Sequence, residues 1–282
     1  MNLVETLQSL EPTFIKAGQL ALEMQKGITS FNKTNTGNIA GDIVTEADFA
    51  VQEFLLKEIA KTDLVNCHLL AEEDTPSTKE FKGKSDYYLG IDPIDDTAIY
   101  ASGGKHFSTI ISLHDGKNIL YMFIYYPAWN WIHKVVNGKY EVVGETPHEV
   151  LSQEKQNTII CWDGNPEQNL PAEILEELKT KNINFKKVRD FSSGFGSIAL
   201  FASGKIAGVY SENMNTYDGL AELSIGEARS LRIYRGGESG SLDLTNIGKR
   251  ATGLYYSIWS LRMESSRHGP QGVGSLLSTK HG

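Results

Sequence analysis

Three aspartates, Asp92, Asp95 and Asp96, fall within five residues of the stretch YLGIDPIDDTAIYASG, directly after a short apolar run. Their mutual repulsion must be offset by something. Three further segments put carboxylates beside apolar or turn-forming residues: DIVTEAD (Asp42, Asp48), LLAEED (Glu72, Glu73) and TYDGLAE (Asp218, Glu222). Oxygen donors in this density suit a hard cation such as Mg²⁺, which demands a near-octahedral oxygen shell. Two such ions about 3.5–4 Å apart make a clamp for phosphoryl transfer. In IDPIDDT the proline fixes the backbone between Asp92 and Asp95, so both side chains and the Ile94 carbonyl can converge on one point. A helix starting around Asp95 to Thr97 would add amide groups able to receive a phosphate oxygen.

Each motif also has a plain structural reading. Asp48 serves equally as a helix cap, Glu72 and Glu73 as a solvated strand end, Asp218 as an N-cap and DPIDDT as a turn. It is their conjunction that favours a metal centre.

The elements that must position these groups follow from periodicity. Residues 3 to 27 carry apolar positions at helical spacing, with Pro12 near a helix start or kink. FNKTNTGNIAGD reads as a mobile polar loop. After it Ala47, Val51, Phe54, Leu55 and Ile59 line one helical face, with Thr45 and Asp48 spaced as a capping box. HLLAEED and YYLGID are short apolar runs ending in acids, the pattern of buried strands that deliver side chains from their ends. HFSTIISLH, NILYMFIYY, WIHKVV and KYEVVG, punctuated by Asp115-Gly116 and Asn137-Gly138, predict an antiparallel meander. The second half mixes strands (TIICW, NFKKV, KIAGVY) with helices near 171–181, 195–203 and 219–228. Together these predict a layered α+β fold.

The chain has 282 residues, enough for one large domain or two small ones, and a net charge of −8. It has no Lys/Arg block to track a phosphate backbone, which argues against a nucleic-acid polymer as partner. No apolar run approaches bilayer length, and MNLVETLQSLEP lacks the order of a signal peptide, so the expected location is the cytoplasm. Cys67 and Cys161 lie far apart without metal-ligand spacing, as buried free thiols would. Neither G-x-S-x-G nor a plausible catalytic Cys-His pair is present, which argues against a serine or cysteine nucleophile.

In its four acidic motifs the chain resembles the inositol monophosphatase family of Mg²⁺-dependent, lithium-sensitive sugar and nucleotide phosphatases. DIVTEAD is similar to the family's D-x-V-T-x-x-D, AEED to G-E-E, IDPIDDT to D-P-x-D-G-T, and TYDGLAELSIGEA to W-D-x-A-x-x-x-x-x-E-A. They occur in the family's order, over about residues 5–262. The resemblance implies an αβαβα sandwich of the inositol monophosphatase and fructose-1,6-bisphosphatase type. It implies a phosphatase-like domain over 1–265, with halves meeting near 150, whereas the little periodicity and many small or polar residues of the last part predict a flexible tail over 266–282. It also implies that Glu72, Asp92 and the Ile94 carbonyl hold a first Mg²⁺, and that Asp92, Asp95 and Asp218 hold a second. A third ion, where present, leans on Glu72 through water. Thr97 and Asp48, helped by Glu72, polarise the attacking water, and the Asp96 and Thr97 amides bind the phosphate. RDFSSGFGSIALFASGKIAGVY is similar to the family's substrate-binding stretch. That implies Ser197 faces the substrate, unless it is a helix residue packed near Gly196, and puts Glu212 within one position of a sugar-binding acid.

The implied activity is hydrolysis of a small sugar or polyol phosphate, inositol monophosphate by default. Fructose-1,6-bisphosphate, histidinol phosphate and 3′-phosphoadenosine 5′-phosphate (a 3′(2′),5′-bisphosphate nucleotidase) are alternatives, and the implied assembly is a homodimer. Asp96 departs from the family, which has glycine there. A carboxylate about 5 Å from bound phosphate, at an effective dielectric near 20, costs about 3 kcal/mol. A catalytically impaired metal- and phosphate-binding regulatory protein is therefore the reading from another class.

Overall fold

A computed structural model of the protein describes residues 2–27, 30–32, 43–188, 196–212, 217–236 and 255–259. Asp42, the start of the 190s motif and the expected tail over 266–282 lie outside the described residues.

The first segment is two helices where one was expected: α1 (Leu3–Ser9), capped by the Asn2 side chain, and α2 (Glu11–Met24). The break falls at Leu10, and Pro12 occupies the first turn of α2, where no amide donor is required. The expected polar loop begins instead as β1 (Ser30–Asn32), which pairs antiparallel with β2 (Ile43–Thr45). β2 runs directly into α3 (Glu46–Ile59) through the Thr45/Asp48 capping box.

The strands that carry acids at their ends form as expected. β3 (His68–Ala71) lies parallel to β4 (Tyr88–Asp95), and the short α4 (Thr97–Ala101) follows β4. The predicted meander is β5 (Ser108–His114), β6 (Ile119–Tyr126), β7 (Trp131–Val136) and β8 (Lys139–Val143), each antiparallel to its neighbour. At the β7–β8 turn Asn137 and Gly138 take φ values of 48° and 75°, the left-handed backbone for which this dipeptide is suited. β3 to β8 make one six-stranded sheet in sequence order.

The second half contains α5 (His148–Leu151), β9 (Gln156–Cys161), α6 (Pro166–Asn169), α7 (Ala172–Thr180), β10 (Asn184–Lys187), α8 (Ser197–Ala202), β11 (Ile206–Ser211), α9 (Leu220–Ala228), β12 (Arg232–Gly236) and β13 (Tyr255–Trp259). Its five-stranded sheet has the order β10-β9-β11-β13-β12, parallel over the first three strands and antiparallel over the last two. Strands β12 and β13 had no counterpart in the sequence reading.

Three apolar cores stack these elements. In the first, Leu7, Phe14, Ala17, Val51, Leu55 and Ile59 of α1–α3 pack on Leu89, Ile91, Ile111 and Phe123 of the six-stranded sheet. Gly18 lets α2 sit close to that sheet, since a Cβ there would fall 2.6 Å from the Tyr125 ring. On the sheet's other face Ile110, Met122, Ile124 and Trp131 meet Leu200 and Phe201 of α8, Leu220 and Leu223 of α9, and Ile160 and Val209 of the second sheet. A third core sets Ile174 and Leu178 of α7 against Ile159, Ala207 and Tyr210. The order of layers is helix, sheet, helix, sheet, helix: an αβαβα sandwich. Cys67 and Cys161 are both buried and unbonded, and among the described residues no helix is long and apolar enough to cross a membrane.

Candidate active site

Strand β4 carries the centre. Its pairing with β5 holds register from Tyr88 to Asp92, then slips before Asp95. A bulge of this kind re-aims side chains, and here it falls on the Pro93-Ile94 step between the two aspartates. The Asp92 Oδ1 accepts the Ile94 amide at 3.0 Å, and Thr109 Oγ1 donates to the Pro93 carbonyl at 2.9 Å. The Ile94 carbonyl accepts from Thr97 Oγ1 at 3.0 Å. Ser108, fully buried on β5, donates to Asp95 Oδ2 at 3.0 Å.

Two groups of carboxylates gather around this bend. Carboxylate oxygens of Asp92, Asp95 and Asp218 lie within 4.8 Å of one another, as do those of Asp48, Glu72 and Glu73. Asp218 comes from the far half of the chain. It sits one residue before the Gly219 N-cap of α9, and its Oδ1 accepts the Gly219 amide at 2.6 Å. Glu72 and Glu73 follow β3, Glu72 held by its amide's hydrogen bond to the Ile91 carbonyl and Glu73 by Gln52 of α3. The Gln52 side chain donates to the Glu73 carbonyl at 2.6 Å and accepts the Glu73 amide at 2.9 Å. Asp48 Oδ2 accepts both the Thr45 amide, at 2.8 Å, and the Thr45 hydroxyl, at 2.6 Å. Its Oδ1 lies 3.4 Å from Thr97 Oγ1. Asp48 is thus both cap and site residue, and its two oxygens divide the tasks. Thr97 has one proton and faces two acceptors, Ile94 O and Asp48 Oδ1.

The electrostatics are those of crowded, buried carboxylates. Burial, followed by the charges of Glu72, Asp95 and Asp218, pushes Asp92 well above the carboxylate range. Burial and then Asp96 and Asp218 do the same to Asp95. Asp218 is pushed up to about 7 by burial and Glu72, and Asp48 up to about 6 by burial against the lowering effect of its bonds from Thr45. A set made only of carboxylates and a backbone carbonyl fits a hard divalent cation, whose positive charge would offset the crowding.

Asp96 stands apart. It caps α4 with a left-handed backbone, φ 65° and ψ 44°, a conformation for which glycine carries no steric penalty and aspartate a tolerable one. Its side chain turns across the cleft to the start of α8, where a Cβ on Gly196 would fall 1.9 Å from its Oδ2. Beside it Ser197 Oγ donates to buried Glu222 at 2.6 Å and accepts the Trp162 indole N–H at 3.2 Å. Ser197 is thus a buried residue of α8 that joins Trp162 to Glu222, next to the glycine that Asp96 approaches. Glu212 lies in another group: its Oε1 accepts from the Asn165 amide, Asn169 Nδ2 and the Tyr210 hydroxyl at 2.6–2.7 Å, and so ties down the short helix α6 at both ends. Gln52, Ser108 and Trp162 went unread in the sequence, because nothing local marks a side chain whose partner lies on another element.

An αβαβα sandwich with paired carboxylate clusters at the end of a bulged strand defines a class, the sandwich-fold phosphatases. Within it the chain belongs to the inositol monophosphatase family, whose model matches residues 3–228. An inositol-1-monophosphatase of Caulobacter vibrioides is 26% identical over 183 residues, covering 64% of this chain and 70% of that protein. The fold is similar to that of an inositol monophosphatase from Thermotoga maritima, with a TM-score of 0.61, 18% identity, and coverage of 90% of this chain and 92% of that one. It is equally similar to that of an inositol monophosphatase/NADP phosphatase solved with Mg²⁺ and phosphate, with a TM-score of 0.61, 17% identity and 92% of both chains covered.

Proposed function

We infer that the protein is a Mg²⁺-dependent phosphomonoesterase acting on a small phosphorylated metabolite, with a sugar or polyol phosphate, inositol monophosphate by default, as the class to test first. The observation that carries this is the meeting of Asp92, Asp95 and Asp218 from two halves of the chain, beside Asp48, Glu72 and Glu73. A similar fold was solved with Mg²⁺ and phosphate.

In this reading Glu72, Asp92 and the Ile94 carbonyl would hold one ion and Asp92, Asp95 and Asp218 another, and a third, where present, would lean on Glu72 through water. When bound, Mg²⁺ supplies Lewis-acid stabilisation of charge on the attacking and leaving oxygens. The amides of Asp96 and Thr97 orient the phosphoryl group. Thr97 and Asp48, with Glu72 close to Asp48, receive the proton of the attacking water. The bond from water oxygen to phosphorus forms as the bond to the leaving oxygen breaks, and the leaving oxygen takes a proton from solvent. Ser197 borders the leaving group, and Glu212 holds α6 behind it. Residues 1–265 act as one phosphatase-like unit, assembled as a homodimer in the cytoplasm.

The test is phosphate release from inositol monophosphate, fructose-1,6-bisphosphate, histidinol phosphate and 3′-phosphoadenosine 5′-phosphate with Mg²⁺, with and without lithium. Lithium-sensitive release from one of them is expected. Asp96 favours a second reading, a regulatory protein that binds metal and phosphate with weakened catalysis. Intact Mg²⁺ binding by calorimetry with no release from any substrate would select it.

A further inference from the structure

We propose that Tyr126 is a positioning residue of the metal centre: its phenol donates to Ser108 Oγ when Asp95 takes a cation, and so holds the serine's proton on the Asp95 carboxylate. This rests on the phosphatase reading above, which makes Asp95 a Mg²⁺ ligand.

The register of the first sheet places the residues. β4 pairs Asp95 with Ser108 of β5, and the pairing of Thr109 with Tyr125 sets Ser108 opposite Tyr126 of β6, which in turn pairs with Trp131 of β7. Asp95, Ser108, Tyr126 and Trp131 therefore form one row across four adjacent strands, their side chains on one face of the sheet. Tyr126 and Trp131 belong to the core on that face. The row is deeply buried: Ser108 is fully covered, and Tyr126 and Trp131 are each 1% exposed.

Its first bond is made, since Ser108 Oγ donates to Asp95 Oδ2 at 3.0 Å. That spends the serine's one proton and leaves its buried lone pairs in need of a donor. Next along the row, the Tyr126 hydroxyl and the Trp131 indole N–H are both buried without a partner at hydrogen-bond geometry, although the two rings lie 5.2 Å apart. Buried polar groups are nearly always paired, so two neighbouring exceptions call for a cause. The order of residue types supplies one. An indole only donates, a phenol and a serine hydroxyl both accept and donate, and a carboxylate only accepts. From Trp131 to Asp95 the row can thus run from donor to acceptor without a gap, each bond strengthening the next. Burial, and after it the charges of Asp95, Asp96 and Glu222, hold the phenol well above its ordinary value, with Ser108 drawing it back, so its proton is there to donate. A cation on Asp95 fixes the carboxylate to which the row is aligned.

The experiment is a cycle of Tyr126→Phe, Ser108→Ala and the double variant, read by Mg²⁺ calorimetry. Phenylalanine keeps the ring against Trp131 and removes only the hydroxyl, so the melting temperature in EDTA is expected not to fall. Mg²⁺ affinity is expected to fall about two- to tenfold in Tyr126→Phe, the worth of one neutral hydrogen bond. In the double variant it is expected to match Ser108→Ala alone, because the phenol acts through the serine. An unchanged Mg²⁺ dissociation constant in Tyr126→Phe overturns the proposal, whatever happens to the melting temperature, since a merely structural hydroxyl would move only the latter. Losses that multiply in the double variant overturn it too, by showing that Tyr126 does not act through Ser108. Wild-type protein that binds no Mg²⁺ overturns both this proposal and the phosphatase reading. The expected cycle with no phosphate released from any substrate overturns the phosphatase reading alone.

Discussion

Position 96 can be tested through stability before any substrate is known. A residue with a Cβ in the left-handed region costs about 1–2 kcal/mol relative to the right-handed one, and the Asp96 side chain makes no capping bond at α4 to offset it. At φ 65° and ψ 44° glycine removes that strain but gains unfolded-state entropy worth about 0.4–1 kcal/mol. The net backbone gain of Asp96→Gly is therefore small, about 0.5 kcal/mol, whereas Asp96→Ala keeps the strain and gains nothing from the backbone. Charge adds a second contribution. Burial with Glu222 and Asp218 raises the folded-state pKa of Asp96 from 3.8 to about 7, so the folded chain holds this proton more tightly than the unfolded one. Its contribution to stability is complete below the unfolded pKa of 3.8 and is lost as pH rises through about 7. Asp96→Gly deletes this loss, so its advantage over wild type must grow between about pH 4 and pH 8 in metal-free protein. Urea unfolding in EDTA, followed by tryptophan fluorescence at about pH 5 and pH 8, reads both contributions. Equal gains at the two pH values would refute the charge argument, and an alanine variant as stable as the glycine one would refute the backbone argument.

Asp92→Asn is expected to abolish Mg²⁺ binding by calorimetry and turnover together, while raising the melting temperature in EDTA because a buried like charge is gone; full activity would sink the metal assignment. Ser108→Ala, which deletes the 3.0 Å bond to Asp95 Oδ2, should weaken Mg²⁺ binding by about 10- to 100-fold, and an unchanged dissociation constant would show that Asp95 needs no such support. Asp48→Ala removes both bonds from Thr45 and the contact to Thr97. It should lower stability by about 0.5–2 kcal/mol and reduce kcat far more than Mg²⁺ affinity, and equal losses in both would assign Asp48 to the ligand set instead of the relay.

The strands of the first sheet could be read because their alternation and turn dipeptides are local, and β4 could be read as the carrier of acids because its apolar run stops at Asp92. The split of the first helix at Leu10 escaped, since apolar spacing continues across it and only the geometry at Pro12 divides it. β12 and β13 escaped for another reason: RIYRG is short and charged, and its partner YYSIW lies about twenty residues on, so the pairing has no turn to announce it. In the site, the resemblance supplied the carboxylates one by one, and Asp96 was marked as a departure from glycine. What sequence could not give was its direction. The expected clash with phosphate assumed a side chain facing the anion, and the contact with Gly196, a hundred residues away, turns it across the cleft. Glu212 shows the converse, an acid at nearly the expected position whose hydrogen bonds serve the short helix α6.

The bulged strand belongs to the first sheet and the turn before α9 to the head of the central helical layer, more than a hundred residues apart in sequence, and the buried thiols of Cys67 and Cys161 form no covalent tie between the halves. A cation shared by Asp92, Asp95 and Asp218 would close that long loop as a disulfide closes one, except that a chelator could open it. By the same entropy, fastening a loop of about a hundred residues is worth up to about 4.7 kcal/mol. Metal supply would then govern how tightly the two halves of the chain are fastened, and with it how readily a protease could separate them.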